Sequence, residues 1–188
     1  FGEYLGTTAS RMGPADAIFA GFADHFIPQD DWPRLIRTLC DTGDVSAIAK
    51  AARPAGPAPL LQIETQVNEF FRGDYFGDIV NNLNHSGGDF AKACRKKLGR
   101  SSPLAMAATI ELIHRVRGLD DIVLALGMEY RFTYRAAEQG DFIEGIRAMV
   151  IDKDKSPKWR YAMTDPLLPA ASAMLRPLGL HSLDLTEN

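Results

Sequence analysis

Residues 141–159 read DFIEGIRAMVIDKDKSPKW, and this stretch says more about the fold than any other part of the 188-residue chain. Asp141 is a suitable helix N-cap, and Glu144, three residues later, completes a pattern like that of a capping box. The helix that follows is expected to end near Ile151. Beyond it lies a basic loop that Pro157 closes, because proline cannot continue a helix. Since a long helical pattern also precedes the stretch, we expect a helical hairpin that ends in three lysines and a tryptophan.

Most of the remaining chain is also predicted to be helical. Apolar residues recur every three or four positions, as they do on the buried face of an amphipathic helix. Aspartate, serine or proline stands at many of the starts, and glycine at several of the ends. The expected helices cover residues 1–8, 14–20, about 31–39, 44–52, 60–71, 76–83, 90–100, 103–116 and 121–139.

Only one short segment favours a β-strand. Phe22 to Ile27 is a short apolar run, whereas residues 53–59 contain three prolines and a glycine and are expected to form an extended linker. A single strand has no partner within the chain, so the sheet to which it belongs is expected elsewhere. The chain also opens on Phe1 inside a helical pattern that has no N-cap. We therefore expect it to be the downstream part of a longer protein.

The composition predicts a soluble globular protein and argues against several other classes. Hydrophobic residues make up 46% and charged residues 24% of the chain, as in ordinary domains. The net charge of −3 argues against a nucleic-acid partner, which usually meets a basic surface. No run approaches the roughly 20 apolar residues that cross a bilayer, so no membrane partner is expected. Cys40 and Cys94 lie in helical patterns and are expected to be reduced and mostly buried, which favours a cytoplasmic location.

No residue pattern predicts a self-contained catalytic or metal site. The four histidines lack metal-ligand spacing, and there is no nucleophile elbow, phosphate loop or dinucleotide-binding glycine pattern. We therefore expect no metal and no bound cofactor. A basic cluster in the helix of residues 90–100 is interpreted as a solvated face at this net charge. The cluster comprises Lys92, Arg95, Lys96 and Lys97, and the histidines are His25, His85, His114 and His181.

Four segments together resemble the C-terminal end of one family. They are residues 2–9, residues 15–28, Ser102-Pro103 and residues 141–159, and they resemble the 3-hydroxyisobutyryl-CoA hydrolase branch of the enoyl-CoA hydratase/isomerase (crotonase) superfamily. The resemblance covers almost the whole chain. It implies the C-terminal part of an α/β crotonase fold, mostly helical, with one short strand that completes a sheet of the N-terminal half. The implied segments are the end of the crotonase core (1–28), a helical insertion (29–102), a C-terminal helical sub-domain (103–163) and a tail (164–188).

The resemblance also implies a function. Members of this branch hydrolyse acyl-CoA thioesters, and the implied substrate is most like 3-hydroxyisobutyryl-CoA of valine breakdown. In the superfamily two backbone N–H groups hold the thioester oxygen, and acidic residues handle protons. Both lie upstream of the position that matches Phe1, so no catalytic residue is expected here and the chain alone is expected to be inactive. The implied partners are the acyl-CoA substrate, the N-terminal half of the same protein and, in a homo-oligomer, further copies.

Two other functions remain open. The interval from Pro28 to Pro103 is filled by several predicted helices, whereas the matching interval of ordinary hydratases is much shorter. This length and the ending of residues 151–159 favour the hydrolase branch. An enoyl-CoA hydratase or isomerase is the alternative within the superfamily. The alternative of another class is a non-catalytic helical assembly fragment.

The basic loop is the one place where the resemblance implies a ligand contact. The equivalent region of crotonases often approaches the adenine and phosphates of CoA, so Lys153, Lys155 and Trp159 are the candidate CoA-binding residues. The lysines would act as point charges on phosphate, and the indole would stack on the base. In the alternative interpretation, Asp152 and Asp154 neutralise the lysines and the tryptophan packs into the core.

Overall fold

The computed structural model describes residues 1–185, and helices make up most of that range. A π-helix (Arg147–Ile151) continues the eleventh α-helix, and 3₁₀-helices span Gln29–Asp31 and Gly179–His181. The α-helices are α1 (Gly2–Thr8), α2 (Pro14–Phe19), α3 (Trp32–Thr42), α4 (Ser46–Ala51), α5 (Pro59–Gln62), α6 (Glu64–Phe70), α7 (Phe76–Asn84), α8 (Asp89–Leu98), α9 (Pro103–Val116), α10 (Ile122–Ala136), α11 (Phe142–Ile146) and α12 (Leu168–Met174).

The predicted helix over residues 60–71 is wrong as a single element. It is divided into α5 and α6 at Ile63, whose backbone leaves the helical region with φ −108° and ψ 4°. The Ile63 N–H group closes a tight turn on the Leu60 carbonyl at 3.2 Å. The periodicity of the apolar residues persists across this turn, which is why the sequence indicated one continuous helix.

The strand predicted at residues 22–27 is also wrong. Among the described residues, this segment contributes only an isolated antiparallel bridge, in which the Arg53 N–H group donates to the Phe26 carbonyl at 2.9 Å. Phe22 is 66% exposed, so the apolar run does not enter a core. No second strand in the described chain extends the bridge into a ladder, and a strand without neighbours is not stable by itself.

The described chain divides into two compact units, of which the first comprises Phe1 and Arg11–Val67. Its small core includes the contact of α2 with α5, where the buried Asp16 carboxylate accepts a hydrogen bond from the Leu60 N–H group at 2.8 Å. None of the residues of α3 is buried in the described structure. Cys40 on this helix is therefore exposed rather than buried as predicted, whereas Cys94 of the other unit is buried, and both thiols are free.

The second unit comprises Gly2–Ser10 and the described residues from Asn68 onward, and α9 lies at its centre. The start of α9 is the predicted one, because the Ser102 hydroxyl accepts a hydrogen bond from the Ala105 N–H group at 3.1 Å, which is a typical N-cap contact. α9 packs against α1, α7, α10 and α12. The side chains buried most completely in this unit include Ile79, Leu83, Leu98, Leu104, Ile110 and Leu175.

The crossing of α1 and α9 depends on a glycine. A Cβ atom placed on Gly6 would lie 2.7 Å from Cγ2 of Thr109, which is closer than two carbon atoms can approach without a shift. Thr109 is β-branched, and its hydroxyl is already bonded to the Ala105 carbonyl at 2.9 Å, so it cannot easily turn away. Gly6 therefore sets the close packing of these two helices.

Candidate functional site

The loop of residues 152–156, here called the lysine loop, lies against the guanidinium group of Arg147. Arg147 Nε and Nη2 donate to the two carboxylate oxygens of Glu144 at 2.9 and 2.8 Å. Its Nη1 donates to Asp152 at 2.6 Å and to Asp154 at 2.7 Å. Nη2 also reaches the Ser156 carbonyl at 3.2 Å. A planar guanidinium can make all these bonds at once because its donors form a fixed fork.

Two carboxylates of this cluster, those of Glu144 and Asp154, have a lowered pKa. Hydrogen bonds from Arg147, followed by that from the Lys158 N–H group at 2.6 Å, lower the pKa of Glu144 to about 2. Hydrogen bonds from Arg147 and from the Ser156 N–H group lower the pKa of Asp154 below its ordinary value. Each carboxylate is thus stabilised in its ionised form by the hydrogen bonds that it accepts.

Both lysines of the loop adopt a left-handed backbone conformation. Lys153 has φ 56° and Lys155 has φ 55°, where a side chain with a Cβ atom costs roughly 1–2 kcal/mol. Asp152 and Asp154 bind Arg147 and not these lysines. In the part of the chain that the structure describes, neither ammonium group is in a direct ion pair. The single charge of Arg147 is shared by the carboxylates of Glu144, Asp152 and Asp154, so negative charge remains beside both lysines and the local neutralisation considered from the sequence stays open. Both lysines are exposed.

The structure brings two of the three candidate CoA-binding residues to one cavity. Lys155 and Trp159 line an open cavity of about 750 Å³, whereas Lys153 is not among its lining residues. Arg100, which follows α8, lies at the same cavity and was missed by sequence reasoning. The basic character of α8 was noticed, but nothing in the sequence indicated that its end meets the lysine loop. The complete lining consists of Gly99, Arg100, Met149, Lys155, Ser156, Pro157 and Trp159.

A second cavity of about 410 Å³ also has Met149 and Trp159 in its lining and is almost wholly apolar. The indole of Trp159 lies over α11, since a Cβ atom on Gly145 would be 3.7 Å from the ring. Trp159 is half-buried, so it packs against the protein and still borders open space. The other residues that line this cavity are Ser102, Ala105, Phe132, Ala136, Asp141, Phe142, Gly145, Ile146 and Val150.

The predicted capping box of Asp141 and Glu144 is wrong. Asp141 makes no side-chain cap bond to α11. Its buried carboxylate accepts the Ser102 hydroxyl at 2.5 Å and the Arg160 N–H group at 3.0 Å. Glu144 is bonded to Arg147 instead. The partners of Asp141 lie 39 and 19 positions away in the chain, which a local sequence pattern does not reveal. Asp141 thereby ties the chain after the lysine loop to the start of α9.

The basic residues of α8 form the predicted solvated face only in part. Arg95 donates to the carbonyls of Leu83 and Ser86, the latter at 2.9 Å. Lys97 donates to the Ser10 hydroxyl at 2.9 Å and lies over the Tyr4 ring. Lys92 and Lys96 are exposed. Two of the four cations therefore stabilise the packing of α8 and are not free to meet a ligand.

The other candidate chemistry does not assemble into a site. Among residues 1–185, no group of three or more histidine, cysteine, aspartate or glutamate residues could hold a metal ion. His114 lies 3.5 Å from the Glu3 carboxylate, and His85 is bonded to the Asn81 carbonyl at 2.7 Å. Over the same residues, each helix is too short or too polar to cross a membrane.

The cavity at the lysine loop has the features of a site for an anionic ligand with a planar ring. Arg100 and Lys155 provide positive charge, and the Trp159 indole provides a surface for stacking.

Comparison with known proteins identifies the family. The model of the enoyl-CoA hydratase/isomerase family matches residues 1–172, and the chain belongs to that family. The fold is similar to the crystal structure of an enoyl-CoA hydratase from Rhodobacter sphaeroides 2.4.1, with a TM-score of 0.81 and 44% sequence identity. The match covers 97% of this chain and 53% of that one. The crotonase-type fold predicted from the sequence is thus confirmed at the level of the superfamily.

Curated relatives match at lower identity. The mitochondrial 3-hydroxyisobutyryl-CoA hydrolase of Xenopus laevis is 29% identical over 85% of this chain and 44% of its own length. The small ribosomal subunit protein mS47 of Schizosaccharomyces pombe is 30% identical over 85% of this chain and 40% of its own length. The chain therefore spans about half the length of the relatives that it matches.

Proposed function

We propose that the complete protein hydrolyses an acyl-CoA thioester, most like 3-hydroxyisobutyryl-CoA. The observation that carries this proposal is the cavity at the lysine loop, where Arg100, Lys155 and Trp159 meet. Family membership supports a CoA thioester as the ligand, and the hydrolases among the relatives support the hydrolase branch. Coenzyme A would be part of the substrate and not a bound cofactor.

In this proposal, the lysine loop meets the phosphate-bearing end of CoA. Lys153 and Lys155 are in no direct ion pair with their neighbouring aspartates, because those aspartates bind Arg147, so the N–H donors of both ammonium groups would be available to a phosphate. A lysine ammonium group binds phosphate as a point charge, and Trp159 offers its half-buried ring to the adenine. The acyl group and the reacting carbonyl lie at the other end of such a ligand, away from these residues.

The catalytic groups are proposed to lie in a segment that these 188 residues do not contain. The N-terminal half of the same protein would supply them and would also cover exposed apolar residues of the second unit. These include Ile122, Val123, Phe142, Ile143, Val150 and Ile151, whose side chains are all about half exposed or more. Exposed apolar side chains in this number are typical of a surface that meets another protein surface, and a homo-oligomer is a further candidate to cover them.

A hydratase or isomerase is the second candidate function. The specific observation in its favour is the 44% identity with the structure from Rhodobacter sphaeroides, described as an enoyl-CoA hydratase, against about 29% with the hydrolases. The two reactions differ in their products, because hydrolysis releases the thiol of CoA and hydration does not.

The test is therefore an assay of the full-length protein with two substrates. We expect a thiol reagent to detect CoA release from 3-hydroxyisobutyryl-CoA, and we expect little loss of the enoyl absorbance of crotonyl-CoA. Hydration of crotonyl-CoA without thiol release would contradict the hydrolase proposal and favour a hydratase. The absence of both reactions would favour a non-catalytic assembly role, for which the match to a ribosomal protein is the supporting observation.

The location in the cell stays a prediction. The two free cysteines agree with a reducing compartment, and the cytoplasm was the location inferred from them. The names of several hydrolase relatives place those proteins in mitochondria. Fractionation of the source cells with an antibody against residues of α10 would decide between these locations.

A further inference from the structure

Arg147 is the residue on which the conformation of the lysine loop depends. Among the described residues it is the cation that binds Asp152 and Asp154, which stand on either side of Lys153. Its Nη2 bond to the Ser156 carbonyl holds the end of the loop as well. The loop begins where the π-helix ends, and the Lys155 N–H group reaches back to the Ala148 carbonyl at 3.0 Å.

The loop has little other support for its two left-handed lysines. A residue with positive φ persists only where its surroundings over-determine it, and such residues cluster at functional sites. Here the surroundings are the contacts that Arg147 makes, together with two backbone-directed hydrogen bonds at Lys155 and Ser156. Glu144 completes the arrangement, because its carboxylate accepts hydrogen bonds from the Arg147 guanidinium and from the Lys158 N–H group.

Arg147 itself is not part of the cavity wall. The cavity beside the loop is lined by Lys155 and Trp159, whereas the guanidinium is occupied by three carboxylates and a carbonyl. A direct role in binding phosphate would require Arg147 to leave these partners. Its contacts are instead with Asp154 and Ser156, which precede and follow Lys155 in the chain.

We propose that Arg147 is a positioning residue of the CoA phosphate subsite, because it holds the lysine loop so that Lys155 stays at the cavity beside Arg100 and Trp159. The inference rests on the proposed function of this cavity. It assigns to Arg147 an effect on substrate binding without contact with the substrate. It also distinguishes Lys155, which the loop places at the cavity, from Lys153, which lies outside the lining.

The test is the Arg147→Lys variant of the full-length protein. A lysine keeps the positive charge, but its single ammonium group cannot reproduce the fork that joins three carboxylates. We expect the KM for the CoA thioester to rise about tenfold, as for the loss of one charge-assisted contact, with kcat changed less than twofold. The inhibition constant of adenosine 3′,5′-bisphosphate, which carries the phosphates without the acyl group, should rise by the same factor.

Arg115→Lys is the matched control. Arg115 pairs with Glu111 at 2.8 Å and is exposed to a similar degree, 33% against 29% for Arg147, but it lies on α9 and does not line the cavity. Its replacement should leave KM and the inhibition constant unchanged. If Arg147→Lys does not yield folded protein, Asp154→Asn takes its place, because it removes one loop contact and keeps the Glu144–Arg147 pair. It should raise KM in the same direction.

The outcomes separate the two proposals. A wild-type protein that neither turns over a CoA thioester nor binds the bisphosphate would overturn the proposed function and this inference together. A wild-type protein that binds it, with Arg147→Lys and Asp154→Asn binding equally well, would overturn the inference alone. If the Arg115→Lys control raised KM as much as Arg147→Lys does, the effect of both substitutions would be a general structural one. That result would also contradict the positioning role.

Discussion

At the scale of single residues, the sequence predicted the importance of the lysine loop but not the arrangement inside it. The pattern of Asp141 and Glu144 looked like a capping box, and the structure gives each carboxylate a stronger partner elsewhere. Arg147 was not singled out. Its i,i+3 spacing from Glu144 is a local signal for an ion pair, but a helical pattern does not indicate that Asp152 and Asp154, beyond the helix, bind the same guanidinium. Arg100 was missed for a related reason, since 55 positions along the chain separate it from Lys155.

The contribution of Glu144 to the stability of the fold is expected to depend on pH. Its folded-state pKa of about 2 lies below the ordinary value of 4.5, so its contribution to stability is complete above pH 4.5 and is lost as the pH falls towards 2. We expect Glu144→Gln to lower the urea midpoint at pH 6 and to differ much less from wild type at pH 3. Glu138→Gln is the control, because the Glu138 carboxylate is in no ion pair among the described residues. A difference between Glu144→Gln and wild type that is as large at pH 3 as at pH 6 would contradict the assignment.

The two cysteines are expected to differ in reactivity. Burial raises the pKa of the Cys94 thiol to about 11, so very little thiolate is present at pH 8. Cys40 is exposed on α3. Iodoacetamide should therefore label Cys40 and spare Cys94 in the native protein, while both are labelled in urea, as peptide mass spectrometry can show. Rapid native labelling of Cys94 would mean that its environment is open.

At the scale of elements, the helices were predictable and the connections were not. Ser102 before Pro103 marked a helix start correctly, and of the two candidate caps Asp120 and Asp121 the structure selects Asp121. N-caps are local signals, and here the Ala105 and Leu124 N–H groups donate to them. The apolar run near Phe26 gave no comparable signal. Whether such a run becomes a strand depends on partners remote in the chain, and the described residues offer it only one bridge.

A pair of helix glycines tests the packing of α1 on α9. Gly6→Ala is expected to destabilise the protein by roughly 1–3 kcal/mol, because the added methyl group overlaps Thr109. Gly127→Ala in α10 meets no atom within 4 Å and should stabilise it by up to about 1 kcal/mol through helix propensity. Denaturant unfolding of both variants gives the comparison. A stabilising effect of Gly6→Ala would show that the two helices do not cross so closely.

At the scale of the whole molecule, family membership and the predominance of helices were foreseen, whereas the division into two compact units was not. The first unit contains few buried residues, and α3 has none in the described structure. Periodicity predicts which face of a helix is apolar, but it does not reveal what covers that face. The four segments predicted from the resemblance, from residues 1–28 to 164–188, stay a prediction, and residues 186–188 of the predicted tail lie outside the described residues.

The proposed location of the catalytic groups predicts the behaviour of the 188-residue chain in isolation. Purified free of any longer species, it is expected to release no CoA from 3-hydroxyisobutyryl-CoA, while the full-length protein does so under the same conditions. Its exposed apolar side chains should also bind a hydrophobic dye more strongly than the full-length protein does. Turnover by the isolated chain at the full-length rate would place the catalytic groups within these residues.

The central claim is that the lysine loop binds the phosphate-bearing end of an acyl-CoA substrate. Its most direct test compares 3-hydroxyisobutyryl-CoA with the corresponding pantetheine thioester, which lacks the nucleotide, in the wild-type full-length protein and its Lys153→Ala/Lys155→Ala variant. We expect the double substitution to raise the KM for the CoA thioester about tenfold with kcat little changed, and to leave the KM for the pantetheine thioester as it was. An unchanged KM for the CoA thioester, or an equal rise for both substrates, would contradict the claim.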